Sequence, residues 1–97
     1  MDFRFDDADL QRLYTDAGFN GRFPTGVVKA FRNRVQYIRG ARDERDFYAL
    51  NSFKFEKLKS GNGRTYSMRL NDQFRLILEM EEGSSKTVVI LAIEDYH

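Results

Sequence analysis

The chain has 97 residues, of which 41% are hydrophobic and 14% aromatic. That is enough for one small core and a single domain over residues 1–97, and too apolar for disorder. Cysteine is absent, which excludes disulfides, thiolate-bound metals and thiol chemistry. No apolar run approaches the roughly 18 residues of a membrane span, and Met1–Asp7 lacks the basic and apolar regions of a signal peptide, so a soluble, cytoplasmic protein is expected. The formal charge of +1 hides a segregated pattern. Residues 1–16 hold five aspartates against Arg4 and Arg12, and residues 79–97 hold five acids against Lys86. Between them, residues 22–45 carry seven bases against two acids, and residues 54–75 carry six against two. A basic middle between acidic ends predicts a polarised surface, and a basic face is the electrostatic footprint of a polyanion.

Asp2–Phe5 alternates, with Phe3 and Phe5 on one side, and reads as a strand. Asp6 or Asp7 caps the helix that follows, whose apolar face is Leu10, Leu13, Tyr14 and Ala17, with Gly18 as its stop. Phe19–Phe23 is a connection, and Pro24 suits the first turn of a second helix. Val27, Phe31, Val35 and Ile38 recur at helical spacing up to Gly40, giving a helical hairpin that needs a flat partner. Asp43–Leu50 reads as a short turn anchored by Phe47 and Leu50. From Phe53 the period becomes two. Lys54–Leu58, Thr65–Leu70 and Phe74–Met80 are predicted strands, with Tyr66, Met68 and Leu70 on one face of the second and Phe74, Leu76, Leu78 and Met80 inward on the third. Ser60-Gly61-Asn62-Gly63, Asn71-Asp72-Gln73 and Glu82-Gly83-Ser84-Ser85 are turns. Lys86–Ile93 is nearly all apolar, as in a strand buried on both faces. The predicted order is β-α-α-β-β-β-β, an α+β fold in which the hairpin covers one face of a small, mostly antiparallel sheet.

The second half carries a family resemblance. Leu58-Lys59-Ser60-Gly61, Tyr66-Ser67-Met68-Arg69-Leu70, the turn and strand from Asn71 to Ile77, and the ending Asp95-Tyr96-His97 follow one another as in HigB toxins. Arg45–Leu50 resembles the segment that precedes this strand in the family. The chain therefore resembles the HigB, or plasmid-maintenance killer, branch of the RelE/ParE toxins. The resemblance implies a type II toxin that acts as a ribosome-dependent endoribonuclease, cutting mRNA in the ribosomal A site. It further implies neutralisation by a cognate helix-turn-helix, HigA-like antitoxin, with a monomeric toxin entering a hetero-oligomer. No cofactor and no metal are expected. The ParE branch inhibits DNA gyrase, so a gyrase-directed toxin on the same fold, or an inactive homologue kept as a binding module, stand as alternatives.

Metal-free RNA cleavage needs a base for the 2′-hydroxyl, cations for the phosphate and an acid for the leaving 5′-oxygen. His97, the only histidine, suits the acid or a cation beside the phosphate. Tyr96 is placed to donate to a phosphate or stack on a base. Asp95 is assigned to orient His97 or Arg75, since an exposed aspartate is a weak base near neutral pH. Arg75 matches the family arginine that contacts the scissile phosphate, where guanidinium geometry suits an oxyanion; a structural ion pair with Asp95 or Glu79 is the alternative. Lys54, Lys57, Lys59, Arg64 and Arg69 are expected to hold RNA or ribosome backbone, against a purely solvated role. Two departures stand out. Glu56 occupies a position where many HigB proteins carry histidine, and is assigned as the base or else pairs with a lysine. Ser60 replaces a frequent glycine, with a modest effect on its turn.

Overall fold

The computed structural model describes residues 1–83 and 85–96. Asp2–Phe5 is strand β1. Asp7 caps helix α1 (Ala8–Thr15), its carboxylate accepting from the N–H groups of Asp9 and Leu10. Helix α2 (Thr25–Gly40) starts just after Pro24, whose carbonyl accepts from Val27 and Val28. The expected turn at 43–50 is a single-turn helix α3 (Arg45–Tyr48), followed by a 3₁₀ turn at Asn51–Phe53. Strands β2 (Glu56–Lys57), β3 (Thr65–Arg69), β4 (Phe74–Glu81) and β5 (Thr87–Asp95) complete the chain.

The strands form one sheet in the order β1-β5-β4-β3-β2. All neighbours are antiparallel except β1, which runs parallel to β5 with Asp2 opposite Thr87 and Phe5 opposite Ile90. On one face the rows Tyr66/Leu78/Ile90 and Met68/Leu76/Ile93 meet the apolar stripes of the helices. Leu10, Leu13, Val27, Phe31, Val35, Ile38, Phe47 and Phe53 join them in one core. Burying a Phe of this kind stabilises the fold by about 1.5–3 kcal/mol. The predicted inward residues of β3 and β4 all lie on this face. Among the described residues no helix is long and apolar enough to cross a membrane.

Three expectations need correction. Strand β2 is shorter than Lys54–Leu58. Lys54 closes the 3₁₀ turn in a left-handed conformation, φ 44°, so the ladder starts only at Glu56, and Leu58 adds one further bond to Thr65. Ala17 is exposed, outside α1. Arg32 of α2 reaches over and donates to the carbonyls of Leu13, Asp16 and Phe19, satisfying the end of α1 and closing it two residues earlier. Strand β5 runs on to Asp95, two residues past the expected Ile93. Its pairing with β4 slips between Ile77 and Leu78, where Ala92 and Ile90 are the successive partners and Leu91 is extra. This bulge reverses which residues face the helices, so Val88 and Ile90 are succeeded by Ile93 and Asp95.

Candidate active site

The other face of the sheet has no helix over it. Its residues alternate with the core-facing ones, so the rows are Glu56/Ser67/Ile77/Ala92 and Arg69/Arg75/Glu94. Ile77 is nonetheless buried, as is Val89.

Arg75 is held at the centre of this face. Its Nε donates to Ser67 Oγ at 2.9 Å and one terminal nitrogen donates to the Lys54 carbonyl at 2.6 Å. The same nitrogen lies 3.6 Å from Glu56 Oε1. Only 13% of the Arg75 side chain is exposed, against 63% for Glu56, and Ser67 is completely buried. The left-handed turn at Lys54 aims its carbonyl at Arg75, and the guanidinium thereby ties β4 to the corner that starts β2. A non-glycine residue with positive φ costs energy that such surrounding contacts must offset. The ion pair of Arg75 is with Glu56. Of the two acids considered for it, Glu79 instead meets Arg64 at 3.9 Å and Asn62 at 3.2 Å. Asp95 lies in register with Phe74, on the opposite face, and its carboxylate accepts from the Gln73 side chain at 3.0 Å.

Arg69 stands directly across from Arg75. Like charges facing each other across a ladder repel, so the pair costs stability unless an anion joins it. Asp72, almost fully exposed, pairs with Arg69 from the turn. Arg34 donates to the Arg69 carbonyl at 3.1 Å and lies over the Phe53 ring, 4.3 Å from its centroid. Burial, and then Arg69, lower the pKa of the Arg34 guanidinium below its usual value. Two of the four bases of α2, Arg32 and Arg34, are therefore engaged in the fold, and Lys29 and Arg39 are left as its solvent-facing charges.

The structure thus brings together Glu56, Arg69, Arg75 and the backbone of Lys54. Tyr96 lies at the same end of the sheet; it is 43% exposed and its N–H donates to the Gln73 carbonyl at 2.6 Å. Arg64 does not join them: it precedes β3 at the other end of the strand and pairs with Glu79. Lys57 and Lys59 are exposed at the β2 edge. His97 lies outside the described residues. Among the described residues no group of histidine, cysteine, aspartate or glutamate is arranged to hold a metal ion.

Three members of the site escaped sequence reasoning. Ser67 was legible only as part of an alternating strand, yet the register set by the Asn71-Asp72-Gln73 turn makes it the diagonal neighbour of Arg75. Glu94 flanks Arg75 on β5, where the bulge hid its facing. Arg34 braces Arg69 from a helix, a tertiary contact with no local signature.

A family model for the RelE-like toxin HigB of type II toxin–antitoxin systems matches residues 3–97. The sequence matches no curated protein. Among solved structures, the YoeB/ParE toxin from Agrobacterium tumefaciens has a similar fold, with a TM-score of 0.65 over 100% of both chains at 13% identity.

Proposed function

The chain belongs to the HigB-like, RelE-like toxins of type II toxin–antitoxin systems, and on that premise we propose that it is a ribosome-dependent endoribonuclease that cuts mRNA in the A site. Membership of a type II system implies an antitoxin partner; a helix-turn-helix protein of the HigA kind is the partner proposed. The observation that carries the nuclease reading is Arg75, fixed from two sides and facing the helix-free surface beside Glu56 and Arg69.

In the proposed reaction the phosphate lies across Arg75 and Arg69. Their guanidinium groups stabilise the charge that grows on the non-bridging oxygens. The Glu56 carboxylate takes the 2′-hydroxyl proton. The 2′-oxygen bonds to phosphorus, the bond from phosphorus to the 5′-oxygen breaks, and a 2′,3′-cyclic phosphate remains. His97 is assigned to protonate the departing 5′-oxygen, and Tyr96 to donate to the phosphate or stack on a base. Asp95 is assigned to orient His97. Lys54, Lys57 and Lys59 contact backbone phosphates; Arg64, already paired, is a secondary contact.

Primer extension on mRNA with purified 70S ribosomes tests this reading. Ribosome-dependent cuts are expected from the wild type, with strong losses in Glu56→Ala, Arg75→Ala and His97→Ala. Growth arrest without cuts, and unchanged by these substitutions, would move gyrase inhibition to the front. No arrest without the antitoxin gene would leave an inactive binding module.

A further inference from the structure

Three aromatic rings run outward in series at the β2 margin of the sheet. Phe55 stacks on Tyr66, with centroids 5.1 Å apart and planes 3° apart. Tyr48, at the end of α3, meets Phe55 at 4.8 Å in a near-perpendicular arrangement. Phe55 is buried, but Tyr48 is 52% exposed, more than any other large hydrophobic side chain among the described residues. Phe55 and Tyr66 pack with the core, and Tyr48 carries the row of rings out to solvent.

Beside the rings lie free cations. Lys57 is directly opposite Tyr66 in the β2–β3 ladder, so its stem rises on the same face as that ring. Lys59 follows two residues on, at the start of the turn. Both are exposed, and neither amine has a hydrogen bond or ion pair among the described residues. Glu44, at the N-cap of α3, is tied to Lys86. Glu56 looks to the opposite face, toward Arg75. Lysines on an edge strand also deter strand pairing, but that role asks nothing of Tyr48.

Aromatic faces that continue into unpaired ammonium groups match single-stranded nucleic acid, whose bases stack and whose phosphates attract cations. We propose that the β2 margin is a base-stacking subsite for single-stranded RNA, with Tyr48 the platform for a base and Lys57 and Lys59 the phosphate contacts. The RNA strand passes around the sheet edge between this subsite and the Glu56–Arg75 face. The proposal rests on the nuclease reading for its place in the reaction, whereas its test does not require cleavage.

The test is fluorescence anisotropy with a short, labelled, fully 2′-O-methylated RNA strand, which cannot be cut. Tyr48→Ala is expected to weaken binding about 10-fold or more, while Tyr48→Phe stays within about twofold of wild type. Lys57→Gln should lower affinity and flatten the salt dependence. With wild-type protein, an abasic strand of equal charge should bind as poorly as the normal strand binds Tyr48→Ala; this arm is independent of how the variant folds. No binding by the wild type, equal affinity for normal and abasic strands, or equal affinity of wild type and Tyr48→Ala would each overturn the proposal. So would a Tyr48→Ala protein that binds RNA normally but loses its antitoxin, which would assign the surface to a protein partner. Intact stacking in a protein that cuts no ribosome-bound mRNA would sink the nuclease reading and leave the subsite standing.

Discussion

Ser67→Ala removes a single oxygen from a fully buried position, and the structure sets what that should do. The Ser67 hydroxyl accepts from Arg75 Nε at 2.9 Å, and Arg75 is itself largely enclosed. A hydrogen bond to a charged group contributes about 1.5–3 kcal/mol, and leaving a buried donor unpaired costs about 1–3 kcal/mol. Arg75 keeps the Lys54 carbonyl and Glu56, so the lower half of that range is expected, about 1–2 kcal/mol. For a domain of this length that corresponds to a melting temperature lower by about 4–16 °C. The guanidinium also gains freedom to swing, so turnover on saturating ribosomes should fall about 10-fold, with little change in ribosome affinity. Thermal unfolding by circular dichroism and single-turnover mRNA cleavage measure the two effects. A double-mutant cycle with Arg75→Met isolates the contact: in that background Ser67→Ala should cost almost nothing. Additive losses, or a Ser67→Ala protein with wild-type stability and cleavage, would refute the view that Ser67 positions Arg75.

Glu56→Gln keeps the shape of an exposed side chain and removes its basicity, so cleavage is expected to fall about 10²–10⁴-fold while the melting temperature stays near wild type; equal loss of both would make Glu56 structural. Phe31→Ala empties a fully buried site between helix and sheet, and chemical denaturation should report a loss of about 3–5 kcal/mol. Acid should destabilise the protein through the corner at residues 42–46. There Arg45, by its side chain and then its backbone N–H, holds the Asp43 carboxyl down to about 2, against an unfolded value of 3.8. Lys86 likewise lowers Glu44 below 4.5, and Arg42 lowers Asp46. Because the folded carboxyls hold their protons less tightly, this stability is present above about pH 4.5 and is lost as pH falls toward 2. Urea midpoints across that range should fall, less so in Arg45→Ala, and salt should blunt the difference because the Arg42 and Arg45 side chains are exposed; identical profiles for the two proteins would refute the assignment.

The helical stripes and the strands β3 and β4 were legible because each buries one face, and a buried face imposes a period of 3.6 or two on the residues themselves. Leu76, Leu78 and Met80 declare their strand without help from the rest of the chain. β5 did not declare its phase: from Val88 to Ile93 every side chain is apolar, so a bulge at Leu91 leaves no trace in the pattern, and with it the facing of Glu94 and Asp95 was hidden. The short β2 and the early end of α1 have a common cause. In each, an arginine distant in sequence, Arg75 or Arg32, captures backbone carbonyls and overrides the local preference. The candidate site followed the same division. Arg75 and Glu56 were picked out on the family resemblance and Arg69 on its charge, whereas the pairing of Arg75 with Glu56, and not with Glu79, is a matter of sheet register. Arg64 sits at the far end of β3 and pairs with Glu79, a placement that basicity alone does not foretell.

The parallel pairing of β1 with β5 has a consequence for the making of the protein. β1 is hydrogen-bonded in the sheet only to β5, and its Arg4 meets Glu81, 77 positions along the chain. β1 must therefore wait, unpaired in the sheet, until β5 has been made. Contacts this distant in sequence carry a large loop-closure entropy and slow folding. The central strand β4 also lacks one of its two partners until β5 exists. A chain interrupted during translation would present neither a closed core nor a rigid Arg75. For a protein proposed to attack ribosomes, that order of assembly defers activity until β5 has joined the sheet.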